Sequence, residues 1–407
     1  MAFDVHAVRA DFPILSRTVH DKPLVYLDSA ASAQKPKAVI DAMAGAMGHS
    51  YANVHRGLHT LANETTEAFE AGREAVARFI GADVGGIVFT RGATEAVNLV
   101  AQTFGQTLQA GDEIVISEME HHANIVPWWM LAQSRGVVLK WCPITDDGQL
   151  DWPALEAMVG PRTRLIALSH MSNVLGTHNP AERIVALARS VGAKVLLDGC
   201  QAVVHTPLDV TALDVDFYVF SSHKLYGPTG LGVLYAKPEI LADLPPWQGG
   251  GEMIARVSKE TITFADPPHR FEAGTPAILE GIGLKAAIDW YSQFDRAAVI
   301  AHEQALYQRA VDGLSQIYDL RIIGSAPGKG AILTFVFEGE NAPHAHDVAQ
   351  ILDRYGVAVR AGLHCAEPLS RRMGITSSAR ASFAIYNTPE EVDAFIDALV
   401  RAKRFFD

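Results

Sequence analysis

The chain has 407 residues, of which 49% are hydrophobic and 20% charged, and its formal net charge is −12. That length is long for one hydrophobic core and points to two domains, while the negative charge argues against a general nucleic-acid or anionic-membrane surface. Cys142, Cys200 and Cys365 are the only cysteines and form no CxxC pair. They therefore make neither a disulfide framework nor a zinc knuckle, no metal site is expected, and a reducing, cytoplasmic setting is. Asp4, Arg9 and Asp11 near the start leave no apolar h-region, so no signal peptide is expected. No uncharged apolar run is long enough to span a bilayer.

In chain order, Leu24–Asp28 reads as a short strand ending in the small-residue turn Ser29–Ala33. From about residue 64 the spacing becomes helical, with Ala68, Ala71, Ala75, Val76 and Phe79 on one face. Strands and helices then alternate: strands at 87–90, 113–117, 137–141, 164–168, 194–198 and 214–220, with helices at 95–104, up to about 134, and at 181–190. Strands joined by single helices imply right-handed crossovers and a mostly parallel sheet covered on both faces. Gly230–Tyr235 follows the preceding strand too closely for a helical crossover, so it is expected to pair antiparallel. Residues 245–275 lose the pattern, which marks a functional segment or an interface. One long helix is expected from about 278 to 315, then strands and helices of a smaller α+β unit ending on 389–405. The expected division is a large α/β domain over 25–290 and a smaller domain over 291–407 completed by 1–24.

The chemistry centres on Ser221-Ser222-His223-Lys224, a loop at the end of an apolar strand and followed by Gly227, Pro228 and Gly230. A lysine beside another cationic group and partly desolvated releases its proton and attacks a carbonyl. Ser221 and His223 add phosphate donors. Amine and phosphate donors together suggest pyridoxal phosphate; a surface lysine in a turn is the alternative. Thr90–Glu95 ends a strand and opens a helix, which is either a phosphate cradle or an ordinary turn with a Thr94 cap. Asp198 closes the run Val195-Leu196-Leu197 and needs a partner, such as a protonated pyridine nitrogen or a local backbone amide. Gln201 lies within reach of a ring hydroxyl. His121 and His122 suit stacking and proton transfer better than metal binding, at least one of them being structural. Asn173 follows another strand and is placed to bond the ring or a substrate. Cys365 sits between Gly362 and Pro368, near Arg360 and His364, a setting that favours a reactive thiolate. Cys142 reads as an inert core thiol. Arg380 on an apolar strand wants a carboxylate, from a substrate or from the protein.

These residues fall in motifs that resemble the group II (SufS-type) cysteine desulfurases. They are Tyr26-Leu27-Asp28-Ser29-Ala30-Ala31, Val54-His55-Arg56-Gly57, Glu120-His121-His122-Ala123-Asn124, Ser221-Ser222-His223-Lys224, Arg270-Phe271-Glu272-Ala273-Gly274-Thr275-Pro276 and His364-Cys365-Ala366. The resemblance implies fold-type I of the pyridoxal-phosphate enzymes, a homodimer, and conversion of L-cysteine to L-alanine with a persulfide on Cys365. The sulfur would pass to a small acceptor of the SufE or SufU kind for iron–sulfur cluster assembly. By position, it implies pyridoxal 5'-phosphate held as an imine on Lys224, which also acts as acid and base. His122 would stack on the ring, Asp198 pair its nitrogen and Gln201 bond its hydroxyl. Ala93, Thr94, Ser221 and His223 would hold the phosphate, with Thr275 reaching in from the partner subunit. Asn173, Arg380, Arg360, His55 and Ala30 would place the substrate. The chain departs from relatives at Ala93 (often threonine), Cys200 (usually alanine, and read here as a core residue) and Leu363. A selenocysteine lyase would use the same constellation. A non-catalytic homologue that docks an assembly scaffold would not need Lys224, Asp198, His122 and Cys365 intact.

Overall fold

The computed structural model describes residues 3–406. Seven strands form its central sheet: β1 (Ile87–Thr90), β2 (Glu113–Ser117), β3 (Val138–Cys142), β4 (Thr163–Ser169), β5 (Lys194–Asp198), β6 (Phe217–Ser221) and β7 (Gly232–Ala236). The spatial order is β1-β7-β6-β5-β4-β2-β3. β7 alone runs antiparallel to its neighbours, β1 and β6. β2, β4, β5 and β6 are parallel and follow the expected crossovers. The continuous apolar runs of β1, β6 and β7 are buried along their whole length, as strands covered on both faces must be. β3 is an edge, and Val138 and Trp141 on it are exposed.

The helical face read from residue 64 extends over Thr60–Ile80, capped by His59 and ended by Gly81 in the left-handed conformation. Two helices lacked a legible stripe. Lys37–His49 buries only Val39, and Trp152–Met158 is short and starts at the Asp151 cap. The single helix expected over 278–315 is two, Ile278–Tyr291 and Arg296–Leu314. The Asp295 side chain accepts the Ala297 N–H and starts the second one, so a local cap overrides a pattern that runs on through it. The irregular 245–275 stretch holds a hairpin, Ile254–Val257 with Ile262–Phe264, that leaves Val257, Ile262 and Phe264 exposed.

A second sheet contains β8 (Leu320–Ile322), β9 (Ile332–Phe337), β10 (Arg360–Gly362) and β11 (Ser378–Ser382), in the order β8-β9-β11-β10 and antiparallel throughout. Its core joins Leu306, Leu333, Phe335, Leu352, Phe395 and Leu399. Val25–Tyr26 pairs with Val357–Ala358, and Asp28 bridges to Ser382. The strand expected to open the large domain therefore runs beside the second sheet. Arg9 also reaches this part of the chain, pairing with Glu391 at 2.8 Å.

Two features hold the inner loops in place. Gly232 has no side chain because the Gly92 backbone crosses where a Cβ would stand, which presses the turn after β1 onto the sheet. Arg73, 2% exposed, meets Glu272 at 2.6 Å, and Glu272 Oε1 also takes the Phe89 N–H at 2.6 Å. Removing one member of such a buried pair costs about 3–5 kcal/mol. The Arg270–Pro276 motif is thereby tied to β1.

Candidate active site

The carboxyl ends of β1, β2, β4, β5 and β6 converge on one cavity of about 740 Å³, the place where ligands gather in open α/β sheets. After β6 comes the turn Ser222–Lys224. The Lys224 amine makes no hydrogen bond to any described residue. The residue before it is fixed, because the His223 carbonyl accepts both the Ala33 N–H and the Lys35 ammonium, each at 3.0 Å. Burial holds Lys35 down at about 8, and burial with the Lys224 charge holds the His223 imidazole at about 4. His223 is thus neutral at neutral pH. After β1, the 11-residue helix Ala93–Thr103 points its N-terminus at the same corner, and the Ala93 N–H meets Ser221 Oγ at 2.9 Å.

Asp198 closes β5 and lines the cavity, and its Oδ1 accepts the Cys200 N–H at 3.0 Å. Gln201 donates its amide to the Ala30 carbonyl at 2.8 Å, which leaves the Gln201 oxygen as an acceptor. The Ala30 N–H goes to Ser382 Oγ at 2.9 Å, so Ala30 contributes wall and not a free donor. Cys200 lines the cavity, but burial, then Asp198, pushes its thiol up to about 12. Cys142 is buried away from the cavity and is raised likewise. Only Cys365 is exposed, and it lines the cavity.

Opposite Lys224, the second sheet supplies Arg360 and Arg380. Arg360 forks onto Asp28, with Nη2 at 2.8 Å. Arg380 is 2% exposed and donates to the Asn173 carbonyl at 2.8 Å. Its Nη2 lies 3.5 Å from Asp28, and its buried Nε has no partner. An unpaired guanidinium N–H beside a cavity is a ready carboxylate site. Burial lowers Arg380 to about 10, so it stays charged at neutral pH.

Of the residues expected from the sequence, all but two line the cavity. Thr275 is exposed outside it. His55 is engaged elsewhere, with Glu70 at 2.8 Å and Glu252 at 3.7 Å. With His269, His55 and Glu70 bring three possible ligand atoms within 4.8 Å of one another, but Arg73 already occupies the Glu70 carboxylate. The two adjacent histidines, both on the cavity wall, are engaged differently. His122 spends its ring Nε2 on the Glu367 N–H at 3.1 Å. It is His121 that senses Lys224 and Asp198, and burial, then Lys224, holds it at about 4. His121 Nδ1 accepts the Ala123 N–H at 3.1 Å, which puts the proton of the neutral ring on Nε2. Adjacent residues in a turn have no strand phase to separate them, so the sequence offered no signal for this choice. The outer wall also includes His344, His346, Thr376 and Ser377, which sequence reasoning missed. His344, the cap of the Ala345–Arg354 helix, and His346 in its first turn were the available clue.

Glu120 builds the turn that carries His121. It is fully buried without a cation and accepts from Ser117 Oγ at 2.5 Å, Ser169 Oγ at 2.6 Å and Asn124 Nδ2 at 2.8 Å. Burial outweighs these donors and raises its carboxyl from 4.5 to about 7. The folded protein therefore holds this proton more tightly than the unfolded chain. The contribution to stability is full below about pH 4.5 and is lost as the pH rises through about 7. Glu120→Gln is expected to gain stability relative to the parent across that window. Urea midpoints measured at several pH values check this; a difference that does not change with pH would contradict it.

A profile of the aminotransferase class-V family matches residues 25–395. A curated relative, the cysteine desulfurase of Dickeya dadantii (strain 3937), is 52% identical over 405 residues, covering 99% of this chain and 97% of that protein. The crystal structure of the cysteine desulfurase CsdA (S-sulfonic acid) from Escherichia coli matches with a TM-score of 0.92 and 42% identity, covering 100% of both chains. The apo structure of a cysteine desulfurase from Thermococcus onnurineus NA1 matches with a TM-score of 0.93 and 36% identity, covering 98% of this chain and 99% of that one.

Proposed function

We infer the function from one premise: the chain belongs to the aminotransferase class-V family. Within it, we propose a cysteine desulfurase that uses pyridoxal 5'-phosphate, converts L-cysteine to L-alanine and leaves the sulfur on Cys365. One observation carries this reading. Lys224, Asp198 and an exposed Cys365 line a single cavity. An aminotransferase or kynureninase needs the first two and has no use for the third.

The donors fit the cofactor. Thr94, Ser221 and His223 line an anion cradle at a helix N-terminus, where the Ala93 N–H holds Ser221 Oγ in place. The Asp198 carboxylate suits a protonated ring nitrogen, the Gln201 oxygen a ring hydroxyl, and Lys224 the covalent attachment. When bound, the cofactor supplies an electron sink that loosens bonds at the substrate's α-carbon. Arg380 binds the substrate carboxylate through its unpaired Nε, with Arg360 and Asn173 beside it. Lys224 Nζ would take and return protons, and His121, with its proton held on Nε2, would lie against the ring. Overall the carbon–sulfur bond of L-cysteine breaks and a sulfur–sulfur bond forms at Cys365 Sγ. The proton lost by the Cys365 thiol is balanced by one gained at the methyl group of alanine, so no external oxidant or reductant enters.

His55 and Thr275 stand outside this chain's own cavity, and in this reading they complete the cavity of a second copy. Leu58, 99% exposed, and the apolar hairpin 254–264 support such a homodimer. The persulfide passes to a small acceptor of the SufE or SufU kind for iron–sulfur cluster assembly. Three unpaired thiols support a cytoplasmic setting. No described helix is long and apolar enough to cross a membrane. In this reading a large domain (25–290) carries Lys224 and a small domain (291–407 with 1–24) carries Cys365, and both residues line one cavity. The test is to incubate the purified holoenzyme with L-cysteine or L-selenocysteine and measure alanine. Release from L-cysteine supports the assignment, and release from L-selenocysteine alone would transfer it to a lyase.

A further inference from the structure

The loop that carries Cys365 is strained. His364 and Cys365 hold φ of 52° and 55°, a left-handed conformation that residues with side chains rarely adopt, least of all in succession. Such a loop persists only where its surroundings over-determine it. Three hydrogen bonds do so from across the cavity. Asn173 Nδ2 donates to the His364 carbonyl at 2.9 Å. The His122 N–H donates to the Cys365 carbonyl at 2.7 Å. The Glu367 N–H donates to His122 Nε2 at 3.1 Å. His122 therefore grips the loop on both sides of Ala366, directly after the thiol, with its backbone on the Cys365 carbonyl and its ring on the Glu367 N–H. Glu367 opens the helix Glu367–Arg372, whose first N–H groups have no partner within the helix, so the imidazole satisfies a donor that would otherwise be orphaned.

We propose that His122 is a positioning residue for the nucleophile: its ring latches the strained Cys365 loop over the cavity through the Glu367 amide. This rests on the reading of Cys365 as the sulfur acceptor. Replacing the imidazole with a methyl group keeps the backbone bond and removes the latch. A glutamine retains an acceptor oxygen at the end of a side chain of similar length.

The test compares the holoenzymes of the parent, His122→Ala and His122→Gln. It reads the single-turnover rate of persulfide formation on Cys365 by intact mass, deuterium exchange at the Glu367 amide, and the visible absorbance of the bound cofactor. Loss of one neutral hydrogen bond predicts a persulfide rate lower by about tenfold and Glu367 exchange faster by about tenfold in the alanine variant. The absorbance stays unchanged, and glutamine restores most of both losses. Unchanged rate and exchange in His122→Ala would overturn the proposal, and so would a displaced cofactor absorbance, which would return His122 to the ring. If the parent itself forms no persulfide, the functional reading fails. Exchange at Glu367 needs no substrate and still decides whether the latch exists.

Discussion

Cys365→Ala is expected to keep the cofactor and still bind L-cysteine, yet to carry no persulfide and to release alanine about a thousandfold more slowly or not at all. The substituted side chain is exposed, so the fold does not depend on it. The other two thiols cannot take over. Burial pushes both Cys142 and Cys200 up to about 12, which leaves them protonated at neutral pH. Cys200 is the sharper control because it lines the same cavity. Intact-mass measurement after addition of L-cysteine checks this. A sulfur adduct in Cys365→Ala would show that another group is the acceptor.

Lys224→Ala has the other large effect. The amine stands free of hydrogen bonds, while the carbonyl before it is pinned by Ala33 and Lys35, so it is presented but uncommitted. Its loss removes both the covalent tie to the cofactor and the group that moves protons. General acid–base catalysis of this kind is worth about 10²–10⁴-fold, and turnover is expected to fall by about a thousandfold or more. The cofactor should become removable by dialysis, since only the non-covalent contacts at the phosphate cradle, Asp198 and Gln201 would then hold it. Measured colour retention and alanine release check both parts. A variant that turned over at the parent's rate would exclude Lys224 from the chemistry.

What could be read from the sequence followed from which constraints are local. Lys224 and Asp198 were legible because Asp198 ends an apolar strand and Lys224 follows another by one turn, where a polar residue needs a reason. The antiparallel β7 was legible from loop length alone. The conformation of the Cys365 loop was not, since φ near 55° at two residues with side chains comes from hydrogen bonds supplied by Asn173 and His122, far away in sequence. The different hydrogen-bond partners of His121 and His122 were hidden for the same reason. The break at 292–295 needed the cap at Asp295 to outweigh an apolar pattern that continues past it. The strand at 25–26 has its partner at 357–358, a pairing set by topology and not by any nearby residue.

The most direct test of the account is to add L-cysteine to the purified holoenzyme and quantify alanine together with the mass of the protein. The account predicts one alanine for each sulfur added, with the first sulfur on Cys365, followed by slow turnover until an acceptor protein is supplied. Binding of L-cysteine without alanine, or alanine without sulfur on Cys365, would contradict it.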